Sequence, residues 1–405
     1  LQHSDDKELG MEGNMSDENP PIIRGDAGPT CNSRGASIVM LQVHYIMAGF
    51  GRRNVQINRG AQQMPTPQDQ RRGQKRNALI VVPCLNEAQH IAQLLEQLTR
   101  TLDRVGGRIV VVDGGSTDGT KEIVSQFVTS NPRVTLLHNP DRIQSAGINL
   151  AVSCAGENAS HLFRIDAHCG YPDDYCDRLM AEMDRTGADS IVVSMIAEGE
   201  AIIQQVNAAA QNAPVGNGGS SHRMRTEGQF VDHGHHALMR LSAFRAVGGY
   251  DPAFTHNEDA ELDFRLRERG YRIWLTPDPA IVYFPRSTFK ALARQYCNYG
   301  RGRAGTFLKH AIVPRLRQTK VMAVLPALLL ALFSSVHWVF ALPALLWLAV
   351  TLGAGLGMAI RERRPKLVLV GVSAMVMHVS WSYGFWRKLL EHILGMDGSS
   401  LKAAR

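Results

Sequence analysis

The stretch Val110-Val-Val-Asp-Gly-Gly-Ser-Thr-Asp-Gly-Thr120 sets the fold. A short apolar run ends in two acids, several glycines and hydroxyls, and is followed from Lys121 to Val128 by helical spacing. The order is strand, loop, helix. Glycine lets a backbone approach a ligand closely, and the two carboxylates can accept hydrogen bonds from ribose hydroxyls or base N–H groups. Taken alone, the segment also reads as an acidic turn with Thr117 or Asp118 as a helix N-cap. It contains no GxGxxG, which disfavours a dinucleotide site.

The flanking sequence repeats the pattern. Ala78–Val82, Arg108–Val112, Val134–Leu137 and His161–Ile165 are apolar runs suited to buried parallel strands. Between them, Gln89–Leu102, Lys121–Val128 and Gln144–Cys154 have helical spacing. This alternation predicts an α/β fold, a mostly parallel sheet flanked by helices. Ligands of such sheets lie at the carboxyl ends of the strands, where Pro83–Glu87, Asp113–Asp118 and Asp166–His168 all fall. Beyond Pro172 the expected elements are a helix over Asp173–Arg185, an extended segment Ser190–Met195 and a glycine-rich loop Gly216–Ser221. A helix over Glu258–Arg269 and a strand Ile281–Phe284 complete this region, residues 75–285.

Charge and hydropathy divide the rest of the 405 residues. The net charge of +7 fits nucleic acid, anionic lipid or phosphorylated substrates. No acid stands between Asp278 and Glu362, whereas Arg286, Lys290, Arg294, Arg301, Arg303, Lys309, Arg315, Arg317 and Lys320 do. This basic segment, 286–320, abuts uncharged sequence from Val321 to Ile360, which points to phospholipid headgroups before nucleic acid. About forty uncharged residues suffice for a helical hairpin. With the run Leu367–Trp386 they predict a membrane-embedded tail of two or three helices over 321–386, then a tail end at 387–405. The basic flanks Arg315–Lys320 and Arg361–Lys366 place the catalytic side in the cytoplasm. None of the six cysteines forms a CxxC pair, so reduced thiols are expected. Residues 1–74 read as a disordered extension or as sequence upstream of a translation start at Met64.

Four motifs in order carry a resemblance. Val82-Pro-Cys-Leu-Asn-Glu87, Asp113-Gly-Gly-Ser-Thr-Asp-Gly-Thr120, Asp166-Ala-His168 and Asn257-Glu-Asp259 resemble those of the family-2 inverting glycosyltransferases, which have a GT-A fold. The likeness spans about Ala78 to Arg303. The Asp-Ala-His form, Gly216-Asn-Gly-Gly-Ser220 and Tyr299-Gly-Arg-Gly-Arg303 resemble one branch more closely, the exopolysaccharide enzymes of the succinoglycan-biosynthesis glucosyltransferase kind.

The resemblance implies roles. Pro83, Asn86, Glu87, Asp113, Asp118 and Asp166 would bind the donor, a UDP-sugar. Asp166 and His168 hold the positions of a divalent-metal motif, for Mn²⁺ or Mg²⁺, with His168 where the family usually has Asp. His168 is then either a ligand, favouring Mn²⁺, or a hydrogen-bonding neighbour of a metal held by Asp166 and phosphates. Asp259 would be the general base and Glu258 its positioner, although acids at a helix start also read as a charged cap. Gly218, Gly219, Gln295, Arg301 and Arg303 stand near the expected acceptor or diphosphate. The two arginines read either as pyrophosphate ligands or as a patch on anionic lipid. His233, His235 and His236 lack a fourth ligand at zinc-site spacing and read as lining an acceptor cleft. The implied acceptor is a polyprenyl-pyrophosphate-linked saccharide, with no nucleic-acid partner. A polyprenyl-phosphate sugar synthase and an inactive membrane assembly subunit are the alternatives.

Overall fold

The computed structural model describes residues 77–219 and 227–396. The expectations for residues 1–74, including Met64, and for Ser220, Ser221 and 397–405 lie outside the described residues.

Eight strands form one mixed sheet in the order β3-β2-β1-β4-β7-β5-β8-β6. Its first half is the expected β-α-β array: β1 (Ala78–Cys84), α1 (Ile91–Val105), β2 (Gly107–Asp113), α2 (Thr120–Ser130), β3 (Val134–His138), α3 (Gln144–Ala155) and β4 (His161–Arg164). These four strands pair in parallel. Alternate residues serve opposite faces. Ile80, Val82, Ile109 and Val111 meet Leu94, Leu95 and Leu98 of α1, while Leu79, Val81, Val110 and Val112 meet Ile148 and Ala151 of α3. Both faces are covered, which is why the strands read as unbroken apolar runs. At Gly107, where φ is +96°, an added Cβ would overlap the Ala78 backbone of the neighbouring strand.

The second half departs from a parallel pattern. After α4 (Tyr175–Thr186) come β5 (Ser190–Ala197), α5 (Ile202–Asn212), the one-turn α6 (Pro214–Asn217), β6 (Gln229–Val231) and β7 (His235–Arg240). Strand β7 runs antiparallel to both β4 and β5, joining the two parallel groups. Next follow α7 (Leu241–Ala246), α8 (Glu258–Glu268) and β8 (Ile273–Tyr283), which pairs parallel with β5 and antiparallel with β6. Strand β8 begins eight residues before the expected Ile281, and residues 277–280 bulge out where its register on β5 shifts between Val193 and Met195.

The basic segment is largely one helix, α9 (Phe289–His310), capped by the Thr288 hydroxyl, which accepts from the Ala291 N–H at 3.2 Å. Several of its charges face protein partners. Arg301 pairs with Glu391, Lys309 with Asp251 and Glu261, and Arg315 with Asp232. The segment is therefore a structural tie between sheet and tail as well as a source of positive charge.

The tail comprises α10 (Leu316–Met322), α11 (Val324–Ala331), α12 (Leu342–Glu362) and α13 (Leu369–Ile393). Two helical stretches are long and apolar enough to cross a membrane, Trp338–Glu362 and Pro365–Ile393. The first arm of the expected hairpin is shorter, Gln318–Ala331, below a bilayer's thickness. Leu345, Leu346, Val350, Leu356 and Ile360 of α12 are exposed. Helix α13 instead lies along α9: Gly384 meets the Cys297 backbone, Gly300 meets that of Trp381, and Phe385 packs on Ala304 and Phe307.

Candidate active site

The strand-end loops knit together before they meet any ligand. Asp113, 1% exposed at the end of β2, accepts from the N–H groups of Gly115 (2.8 Å) and Ser116 (3.1 Å). The Ser116 hydroxyl accepts from the Asn86 N–H at 2.9 Å, and the Asn86 side-chain oxygen accepts from the Thr117 N–H at 2.9 Å. Asp118 accepts from the Ala88 N–H at 3.0 Å and from the Thr120 hydroxyl at 2.5 Å, contacts that lower its carboxyl pKa. Asn86, itself at φ 59°, thus joins Asp113 and Asp118 in fixing the shape of the floor.

A cavity of about 680 Å³ opens above that floor. Pro83, Glu87, Asp166, His168, Gly218, Glu258, Asp259, Gln295 and Arg303 line it together, although they come from five separate parts of the chain. Asn86, Asp113, Asp118, Gly219 and Arg301 are outside the lining. Asp113 is buried beneath its loop, Asn86 and Asp118 are exposed on theirs, and Arg301 turns to Glu391.

At the centre is a residue the sequence reading passed over. Arg164, at the end of β4, has a side chain only 6% exposed, with carboxylates at 2.7 Å (Asp259), 3.5 Å (Asp166) and 4.0 Å (Glu258). Its other terminal nitrogen donates to Gln144 at 3.0 Å, and Gln144 donates to Asp166 at 2.8 Å. An arginine inside an apolar strand was the available signal, because a buried guanidinium is rare unless paired.

These contacts set the protonation states. Burial pushes the Asp166 carboxyl up, but the Arg164 charge and His235 outweigh it and hold the group well below its ordinary range. Burial likewise opposes ionisation of Asp259, and Arg164, His236 and His235 overcome it, so its pKa is lowered. Glu258 takes the opposite course. Burial and the adjacent Asp259 charge raise it to about 7 against the pull of Arg164. Neighbouring carboxylates driven apart in this way are suited to different roles.

The histidines divide similarly. His236, fully buried, binds Asp263 at 2.7 Å and the Tyr250 hydroxyl at 3.1 Å, while His233 holds the other Asp263 oxygen at 3.0 Å. Tyr250 in turn donates to Asp259 Oδ1 at 3.0 Å. His233 and His235 face the cavity, and His235 lies 3.5 Å from Asp166 Oδ2. His168 Nδ1 stands 3.0 Å from a Glu87 carboxylate oxygen. Among the described residues, no three or more His, Cys, Asp or Glu side chains converge as a metal cage.

The far wall comes from the tail. Gln318 and Val321 of the α10 stretch and Met377, His378 and Trp381 of α13 line the same cavity, beside Tyr296, Tyr299 and Arg286. No sequence motif marked the tail residues, which are ordinary helix residues until the fold brings them here.

Residues 79–248 match the family model Glycosyl transferase family 2. The chain is 52% identical over 315 residues to the succinoglycan biosynthesis protein ExoA of Rhizobium meliloti (strain 1021), covering 78% of this chain and 96% of that protein. It is 20% identical over 325 residues to the dolichyl N-acetyl-alpha-D-glucosaminyl phosphate 3-beta-D-2,3-diacetamido-2,3-dideoxy-beta-D-glucuronosyltransferase of Methanococcus voltae, covering 77% and 97%. Among solved structures, the mannosyltransferase PcManGT from Pyrobaculum calidifontis, in complex with GDP-Man and Mn²⁺, aligns at 17% identity and a TM-score of 0.49 over 87% of this chain and 96% of that one. With its strand-end loops and paired acids gathered in one cavity, and at 52% identity over nearly the whole of a relative, the chain belongs to glycosyl transferase family 2 and is a glycosyltransferase.

Proposed function

We propose that the enzyme transfers one hexose, glucose as the leading candidate, from a UDP-sugar to a polyprenyl-pyrophosphate-linked saccharide, with inversion, in exopolysaccharide biosynthesis at the cytoplasmic face of a membrane. The observation that carries this reading is the shared wall. Val321, Met377 and Trp381 of the apolar tail border the cavity that contains Asp166 and Asp259. An acceptor carried on a lipid would reach the base by this side. The identity to a succinoglycan biosynthesis protein supports the pathway class.

Asp259 is suited to act as base. Arg164 and Tyr250 anchor Oδ1, at 2.7 and 3.0 Å, while Oδ2 lies 3.9 Å from His235, beyond hydrogen-bond distance. In the proposed step the acceptor hydroxyl oxygen bonds to the anomeric carbon and its proton passes to Asp259 Oδ2. The bond from that carbon to the diphosphate oxygen breaks, and UDP leaves with the electron pair. Glu258, Arg286 and Arg303 border the same space, which supports Glu258 as positioner of the acceptor and the two arginines as partners of a pyrophosphate.

Asp166 and His168 fit a divalent ion in a limited way. They offer one ionised carboxylate and one imidazole, so the remaining ligands would be donor phosphate oxygens, an arrangement usual for metal–nucleotide sites. When bound, such an ion neutralises the departing diphosphate.

The test is transfer from a panel of radiolabelled UDP-sugars to native membrane lipid extract, with and without Mn²⁺. Transfer of one sugar to an organic-extractable saccharide, lost in Asp259→Asn, is the expected result. Full activity in Asp259→Asn would sink the inverting base mechanism and favour a lipid-phosphate acceptor, which needs no strong base.

A further inference from the structure

A second cavity, of about 1220 Å³, opens away from the active site, where the end of β5 and helix α5 face the turn between α12 and α13. Its floor is apolar and made mostly of small residues, Ala208 and Ala209 on α5 and Ala354 and Gly357 on α12, beside Met358. Its rim is basic. Arg361, Arg363, Arg364 and Lys366 line it, against the carboxylates of Glu198 and Glu362. The three arginines are exposed and have no ion-pair partner among the described residues, whereas Lys366 donates to Gln205. The cavity also lies at a particular height. Helix α12 carries exposed leucine, valine and isoleucine side chains along its length and ends at these cations, the position at which a helix entering hydrocarbon meets the headgroup layer.

We propose that this groove binds an anionic phospholipid. Its phosphate would be held by Arg361, Arg363 and Arg364, and its proximal acyl chain would lie over Ala354 and Gly357. Charge complementarity and the apolar floor commit the site to a lipid: a free phosphate has no use for the floor, and a zwitterionic headgroup gives the arginines no net charge to neutralise. Arginine suits this task because its planar guanidinium binds phosphate through two hydrogen bonds. The lipid would join α5 to the α12–α13 turn, so it would also brace the tail against the sheet that carries the active site.

The full chain, purified in a zwitterionic detergent, is titrated with mixed micelles of phosphatidylglycerol or phosphatidylcholine, or with glycerol phosphate alone. Retained lipid is read by native mass spectrometry and the thermal midpoint is read in parallel. Phosphatidylglycerol is expected to be retained and to raise the midpoint, and the other two to do neither. The triple variant Arg361→Gln, Arg363→Gln, Arg364→Gln is expected to weaken retention about a hundredfold, taking about 1 kcal/mol for each cation at an anionic lipid surface. Gly357→Leu supplies a control that keeps every charge. A Cβ there meets nothing within 4 Å, so the variant is expected to keep the wild-type thermal midpoint without lipid while filling the floor and blocking retention. Equal retention of both lipids, an equal shift with glycerol phosphate, or unchanged retention in Gly357→Leu would overturn the proposal.

Discussion

Replacing Arg164 by Met tests whether one guanidinium organises the site. The side chain is 6% exposed and faces three acids at 2.7, 3.5 and 4.0 Å. At an effective dielectric near 20, attraction at 2.7 Å is roughly 6 kcal/mol and at 3.5 Å roughly 5 kcal/mol. Desolvating the ions costs several kcal/mol each, which offsets most of that gain. Truncation is a different matter, because it leaves the acids buried without their counter-charge. The expected loss is about 3–5 kcal/mol of stability at neutral pH. Its pH dependence has a predictable sign. In the native protein Asp166 and Asp259 are held below their unfolded values, so the stability they contribute is present above those values and falls as pH drops. Without Arg164 burial dominates and both acids are pushed up. The variant then binds extra protons when folded, and its stability falls as pH rises.

The assay is denaturant unfolding of wild type, Arg164→Met and Arg164→Lys between pH 5 and 8, beside steady-state transfer kinetics. The Lys variant keeps the charge but cannot fork to Asp259 and Gln144 together. It should recover most of the stability and little of kcat. A Met variant with kcat/KM within about threefold of wild type, or with an unchanged pH dependence of stability, would refute the reasoning.

Asp259→Asn should lower kcat by about 10²–10⁴-fold, measured by transfer of labelled sugar. Glu258→Gln should abolish an inflection near pH 7 in the rate profile, the value to which burial and the Asp259 charge raise this carboxyl. Glu261, wholly buried, is clamped by Arg265, Lys309 and His310 at 2.6–2.9 Å, and Glu261→Gln should cost about 3–5 kcal/mol in denaturant unfolding. Burial opposes its ionisation, but these partners lower its pKa to about 2. The benefit is therefore complete above the unfolded value near 4.5 and fades toward pH 2, where the variant and wild-type curves should converge. Chelation of divalent ions should abolish transfer, and Mn²⁺ and Mg²⁺ titrations of His168→Ala should show a selective loss of Mn²⁺ activation if the imidazole is a ligand.

The parallel half of the sheet was legible because its cause is local. Strands β1, β2 and β4 are largely buried and read as apolar runs, the edge strand β3 is fully buried only at Val134, and acids follow the ends of β1, β2 and β4. Strand β7 was not legible. It begins with His235, which is partly exposed beside Asp166, and with His236, whose burial depends on Asp263 and Tyr250. Strand β8 was read only from its second piece, because the Pro277-Asp-Pro279 segment resembles a turn, whereas pairing with β5 resumes beyond the bulge. The acids of the site were visible as motifs. Arg164 was hidden by its strand, and the destination of Arg301 by the 90 residues that separate it from Glu391.

Helix α9 shows how the tail and the catalytic turn come to depend on one short segment. In Tyr299-Gly-Arg-Gly-Arg303 successive residues point about 100° apart around the helix, so four neighbours address α13, the Asn257 turn and the cavity. Gly300 lies against the Trp381 carbonyl of α13, and Arg301 reaches Glu391 on the same helix. Gly302 lies against the His256 carbonyl and Asn257, the residue immediately before Glu258 and Asp259. Arg303 faces the cavity. Glycine inside a helix costs roughly 0.5–1 kcal/mol relative to alanine, and here each glycine removes a side chain that would overlap a neighbouring backbone. The same short stretch of helix thus meets the turn before the paired acids on one side and seats the apolar tail on the other. A displacement of α13 would reach the Asn257 turn through backbone contact rather than through adaptable side chains, and the contacts of Gly300 and Gly302 make the tail part of the active site's frame.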